Sequence, residues 1–212
     1  MKENILKQAR TEWNKEKGQG YRHKNTDYNL LNKGDGKYSI FIHASGDIKK
    51  DKVDWVRNFS AWPVKYKMGN ETFYIHAGFL SAFRELLFDL MPRIKEAKEV
   101  EISGTSLGGA IAQILNVYLQ LETDIKVNSV TTFGSPKPFL DYGRGYVIAL
   151  CLSAGNTHYR ISKDIVPDLP WFYGSVGTRV QIKTDNKVRS IMEFLFRGFY
   201  DHASYWKELK DE

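Results

Sequence analysis

Cysteine is almost missing from this chain: Cys151 is the only one in 212 residues. No internal disulfide can form, so the fold has to rest on a buried core, and the length is ample for one. Cys151 falls in the apolar run Val147–Leu152, and we expect it to be a small buried hydrophobe. Long apolar runs are missing too: none approaches the roughly 20 residues that a membrane-crossing helix needs. The opening MKENILKQARTEW lacks the apolar core and cleavage pattern of a leader. The expected setting is therefore cytoplasmic, or release without a classical signal peptide. Zinc-ligand spacing, a phosphate-cradling glycine loop, internal repeats and low-complexity tracts are all absent. No metal or cofactor is expected. Histidine is scarce as well, with five in all, which shortens any search for a general base.

The formal charge of +6 comes from 31 basic and 25 acidic residues. The two signs are interleaved along the chain, which describes a solvated basic surface better than a nucleic-acid footprint. We expect no nucleic-acid partner. A transient contact with a membrane or lipid interface is compatible with the excess of positive charge. The charge balance carries no information on oligomeric state.

Residues 99–122, EVEISGTSLGGAIAQILNVYLQLE, organise the rest. A short apolar run with Val100 and Ile102 leads into Gly104-Thr105-Ser106-Leu107-Gly108, and a strongly apolar helical pattern follows. In that strand–turn–helix setting G-x-S-x-G reads as a nucleophile elbow, with the serine on a sharp turn and glycines giving strand and helix room to approach. Around it, residues 4–17 read as an amphipathic helix and Tyr38–Ile42 as a buried strand. Two strands flank a Gly69-Asn70 turn, and a helix runs from Phe79 to about Ala97, broken at Pro92. Strands over Val127–Phe133, Thr157–Ser162 and Thr178–Lys183 alternate with a helix over residues 139–153. A helical tail follows Lys187. The alternation predicts an α/β fold: a mostly parallel central sheet flanked by helices, with antiparallel additions near its start. No linker divides the chain, and residues 1–212 are expected to form a single domain. Residues 47–62 carry Trp55, Phe59 and Trp62 at helical spacing. They form either a docked helix or a candidate lid over an acyl pocket.

A serine hydroxyl needs a base, and the base needs an orienting carboxylate. In hydrolases built on this elbow the chain order is Ser, acid, His, which leaves His158 and His202. Few acids precede His158: Glu122, Asp124 and Asp141 fall near helix ends. His202 allows Asp164, just past a strand end, where sheet enzymes place their reacting groups. Asp168, Asp185 and Asp201 are rival acids. Spacing alone leaves these alternatives open.

Several separated segments, in order, resemble those of the class 3 lipases, the fungal triacylglycerol lipase type of α/β-hydrolase. HAGFLSAF at 76–83 is similar to the family's H-x-G-F, and GTSLGGA at 104–110 to its GHSLGGA. TFGSPKP at 132–138 resembles T-F-G-x-P-R, and KDIVPDLP at 163–170 resembles N-D-x-V-P-x-L-P. GTRV at 177–180 is similar to G-T-E-V, and DHASYW at 201–206 to D-H-x-x-Y. The resemblance implies an α/β-hydrolase fold with Ser106 as nucleophile, Asp164 as acid and His202 as base, and assigns His76 no catalytic part. The amide of Leu107, directly after the nucleophile, is the expected first oxyanion donor. By resemblance Ser45 supplies the second. Trp55, Phe59 and Thr105 are candidate substrate contacts. His43-Ala44 stands where the family writes Arg-Gly, and Thr105 replaces its histidine. The implied reaction is two-step acyl transfer on a lipid or other ester, acylglycerol or phospholipid. The alternatives are a thioesterase or short-chain esterase using the same triad, and an inactive hydrolase fold that binds lipid or protein.

Overall fold

A computed structural model describes residues 19–23, 26–43, 62–161 and 164–182. The expected helix 4–17, the candidate lid 47–62 and the helical tail after Lys187 lie outside the described residues.

The described chain opens with an antiparallel run, β1 (Gln19–His23), β2 (Thr26–Gly34) and β3 (Lys37–Ile42). The Lys33–Gly36 segment makes the β2–β3 turn, with Gly34, Asp35 and Gly36 all at positive φ. β1 and β2 are the antiparallel additions expected near the start of the sheet, although the sequence reading did not locate the strands themselves. In β2 the buried Tyr28 and Leu30 alternate with the half-buried Asp27, Asn29 and Leu31, as suits a strand with one face on the core.

From β3 the sheet turns parallel. β6 (Glu99–Thr105), β7 (Lys126–Phe133), β9 (Thr157–Ile161) and β11 (Thr178–Ile182) complete seven strands in the order β1-β2-β3-β6-β7-β9-β11. Among the described residues three helices flank the sheet: α1 (Ala77–Leu90), α2 (Leu107–Glu122) and α3 (Gly143–Leu152). This is an α/β-hydrolase-like architecture, with a largely parallel central sheet as the alternation predicts. α2 packs against β6, β7, α1 and α3 and buries side chains on nearly every face, which explains a pattern apolar all round. α1 buries a stripe of Phe79, Leu80, Phe83, Leu86 and Leu90. It ends at Leu90, where a 3-10 turn over Met91–Ile94 takes up Pro92.

A second, antiparallel sheet was not foreseen. β4 (Pro63–Met68) and β5 (Glu71–His76) form the expected hairpin, and the two-residue strands β8 (Phe139–Leu140) and β10 (Tyr173–Gly174) extend it. Because Phe139 pairs with Ile75 there, the helix expected from 139 begins only at Gly143. α3 turns its smallest residues inward. Gly145 and Ala149 are buried, and a Cβ on Gly145 would stand 2.3 Å from the Thr72 carbonyl oxygen. Larger side chains point outward, so Cys151 is exposed, contrary to the expectation that it is buried.

Candidate active site

Ser106 joins β6 to α2 with φ 52° and ψ −124°. Among the described residues only one other non-glycine, Asp35 in an exposed turn, has positive φ. A backbone of this kind costs about 1–3 kcal/mol and persists only where its surroundings impose it. Here they do. The Ser106 N–H donates to the Phe133 carbonyl at 2.9 Å, and its own carbonyl accepts from Gly109 N–H at 2.9 Å. The two motif glycines permit the packing. A Cβ on Gly104 would lie 2.5 Å from the Gly108 carbonyl oxygen, and one on Gly108 2.2 Å from that of Ile42. The first turn of α2 is thereby pressed against the end of β3. Leu107 is the first residue of α2, where helix amides lack intrahelical partners and the dipole favours negative charge. Thr105 ends β6, buried, and its hydroxyl finds no hydrogen-bond partner among the described residues.

The ends of β6, β7 and β9 run level, with Thr105 paired to Phe133 and Phe133 to Tyr159. Ser106 and the segment carrying Asp164 therefore leave the same edge of the sheet, two strands apart. Asp164 is fully buried, and its Oδ1 accepts the Val166 N–H at 2.9 Å. The backbone carbonyl of Asp164 accepts from Arg160 Nη2 at 3.0 Å. The rival Asp168 is half exposed and already engaged. Its Oδ1 accepts from Arg160 Nη1 at 2.9 Å and from Arg179 Nη1 at 3.1 Å. Sequence reasoning missed both arginines. The available signal was GTRV, with arginine where the family writes glutamate, together with the acid in VPDLP that meets its charge.

Three described histidines serve the fold. His76 caps α1, its Nδ1 accepting the Phe79 N–H at 3.4 Å and its ring stacked on Phe79 at 4.1 Å. His43 ends β3 edge-on to Phe41, and burial pushes its pKa down to about 4 against the pull of Asp27. His158 shares a 2.7 Å hydrogen bond between its Nδ1 and Thr132 Oγ1. Burial, and then Arg179, push its pKa down to about 4. Gly177 closes over its ring, since a Cβ there would stand 2.6 Å from Nε2. His202, Ser45, Trp55 and Phe59 lie outside the described residues. No group of three or more potential metal-ligating His, Cys, Asp or Glu occurs among the described residues.

A serine turn at positive φ between a parallel strand and a buried helix, with a buried carboxylate leaving the same sheet edge two strands away, fits an α/β-hydrolase-like chain. The profile of the family Lipase (class 3) matches residues 46–174, more than half the chain, and the chain belongs to that family. A curated relative, secreted mono- and diacylglycerol lipase 1 of Fusarium solani, is 28% identical over 144 residues. The match takes in 60% of this chain but only 41% of that protein. Among solved structures, lipase II from Rhizopus niveus superposes with a TM-score of 0.62 at 20% identity, covering 78% of this chain and 66% of its own. The lipase of Rhizopus microsporus var. chinensis gives 0.60 at 20% identity, covering 76% of this chain and 58% of its own. At such identities the structures establish the fold. The chain thus spans about two fifths of the curated relative and 58–66% of these two structures. The Fusarium solani protein is a secreted lipase by name, which overturns the expected cytoplasmic setting. The opening residues of a chain matched to only part of a relative do not decide its compartment.

Proposed function

We propose that the chain is a serine esterase that cleaves carboxylic ester bonds of lipids, acylglycerols in the first instance, and that residues 1–212 act as one hydrolase unit. Ser106 is the nucleophile, Asp164 the orienting acid and His202 the general base. The observation that carries this is the positive φ of Ser106 at the start of α2, a strain with no evident structural use. In the first step the Ser106 hydroxyl attacks the ester carbonyl while His202 takes its proton and passes it to the leaving alcohol. Water, activated by the same imidazole, then releases the acid. Asp164 holds the imidazole and stabilises its cation. The oxyanion falls to the Leu107 amide, with Ser45 as second donor, and each such donor contributes about 3 kcal/mol. Thr105, Trp55 and Phe59 contact the acyl group, and family membership supports brief contact with a lipid interface. The relative's name, that of a secreted lipase, supports action outside the cell.

Hydrolysis of nitrophenyl esters of graded chain length tests the assignment. Ser106→Ala and His202→Ala should each lower kcat at least about 10³-fold, and longer chains should be preferred. Undiminished turnover in either variant refutes the triad, and a preference for the shortest chains points to a plain esterase.

A further inference from the structure

The segment Asp164–Asp168 is held at both ends by guanidinium groups from neighbouring strands. Arg160 on β9 and Arg179 on β11 project from the same face of the sheet, since β9 and β11 pair in parallel with His158 opposite Arg179 and Arg160 opposite Gln181. Arg160 Nη2 donates to the backbone carbonyl of Asp164 at 3.0 Å. Arg179 Nη2 donates to the backbone carbonyl of Pro167. The carboxylate of Asp168 bridges the two arginines. One residue further on, the Leu169 carbonyl accepts the Lys137 N–H at 2.8 Å. Burial, and next the charge of Arg179, push the Lys137 ammonium below its ordinary pKa.

The arrangement is poorly suited to stability alone. The Arg160 side chain is 19% exposed, and its Nε is buried with no hydrogen-bond partner among the described residues. Among the described residues, two arginines and Lys137 face the one carboxylate of Asp168. Burying a guanidinium with one N–H unmet costs free energy that the remaining bonds return only in part. What the bonds do accomplish is geometric, because each arginine grips a main-chain carbonyl in the short segment that carries Asp164. A planar, forked cation is suited to such a two-point grip, and lysine is not.

Resting on the triad reading above, we propose that Arg160 is a positioning residue for Asp164, and that Asp168 and Arg179 brace it. The clamp sets the backbone from which the Asp164 carboxylate is aimed. Without it the carboxylate is no longer held where it orients the base and stabilises its cation. The imidazolium then loses support and the pKa of the base falls.

The test uses the full chain with nitrophenyl butyrate as substrate and compares Arg160→Lys, Asp168→Asn, Arg179→Gln and the pair Asp168→Arg with Arg179→Glu. Asp168→Asn and Arg179→Gln alter half-exposed partners and should leave the fold intact by circular dichroism. Each should lower kcat about 10-fold with KM within twofold, and should move the acid limb of the pH–kcat/KM profile to lower pH. The paired exchange returns an acid between two cations and should restore most of kcat and the acid limb, whereas Asp168→Arg alone should not. Arg160→Lys keeps the charge but not the two-point grip, and should lower kcat at least as much as Asp168→Asn. Full kcat with an unmoved acid limb in both neutral variants overturns the clamp. So does a loss of activity explained entirely by a lower Tm or a smaller active fraction on titration with a serine-directed phosphonate. Failure of the triad reading shows itself separately, as activity surviving Ser106→Ala.

Discussion

The two described halves of the candidate site are built by opposite means. Around Ser106 the work is done by missing side chains: Gly104 and Gly108 leave strand, helix and β3 in direct backbone contact. Around Asp164 it is done by long charged side chains reaching in from neighbouring strands. Steric exclusion tolerates almost no variation, because one methyl group already collides with a carbonyl. An ion-pair brace tolerates exchange of its members as long as the signs still alternate. That difference predicts a rigid motif on one side and a reshuffled one on the other. GTSLGG keeps the family's glycines, while Arg179 inverts its G-T-E-V.

Three substitutions push on this contrast. Ser106→Gly should give the largest effect: loss of turnover together with a gain in stability of about 1 kcal/mol, since glycine accepts φ 52° but costs more chain entropy to order. Assays of activity and chemical denaturation on one preparation decide it, and a destabilised Ser106→Gly would mean that the turn is unstrained. Gly108→Ala should cost about 3 kcal/mol or more, because the added carbon meets the backbone of Ile42 and His43 with no flexible side chain to yield. A denaturation midpoint near wild type would show that α2 can move off β3. The smallest effect belongs to pH. His158 has a pKa near 4 in the fold and near 6.5 when unfolded, so the unfolded chain binds the extra proton between those values. Its contribution is therefore complete above about pH 6.5 and is lost as pH falls towards 4, about 3 kcal/mol in all. His158→Gln should flatten that part of the stability–pH curve, leaving the contribution of His43, which is depressed in the same direction. A curve as steep as wild type would place the sensitivity elsewhere.

What was legible in the sequence follows the same division. The elbow, its strand and its helix were readable because Gly104, Ser106 and Gly108 act through local backbone chemistry that survives as a short string. β3, β6 and β7 were readable as apolar runs with glycine soon after them, Phe133 before Gly134 being typical, and β11 by its alternation. β1 and β2 escaped because a half-buried strand spreads its apolar residues thinly, and Lys33 and Asn32 dilute the pattern further. β8 and β10 are two residues long and have no periodicity to read. Cys151 was misjudged because an apolar neighbourhood in sequence does not reveal which side of α3 is small enough to lie on β5. The arginine brace was missed for a different reason: GTRV and the acid in VPDLP carried a signal, but Arg160, Asp168 and Arg179 meet only through strand pairing, and no spacing along the chain marks them as partners.

The bridge at Asp168 also limits what position 168 can accept. Without an acid there, Arg160 and Arg179 would be left to repel one another beside Lys137.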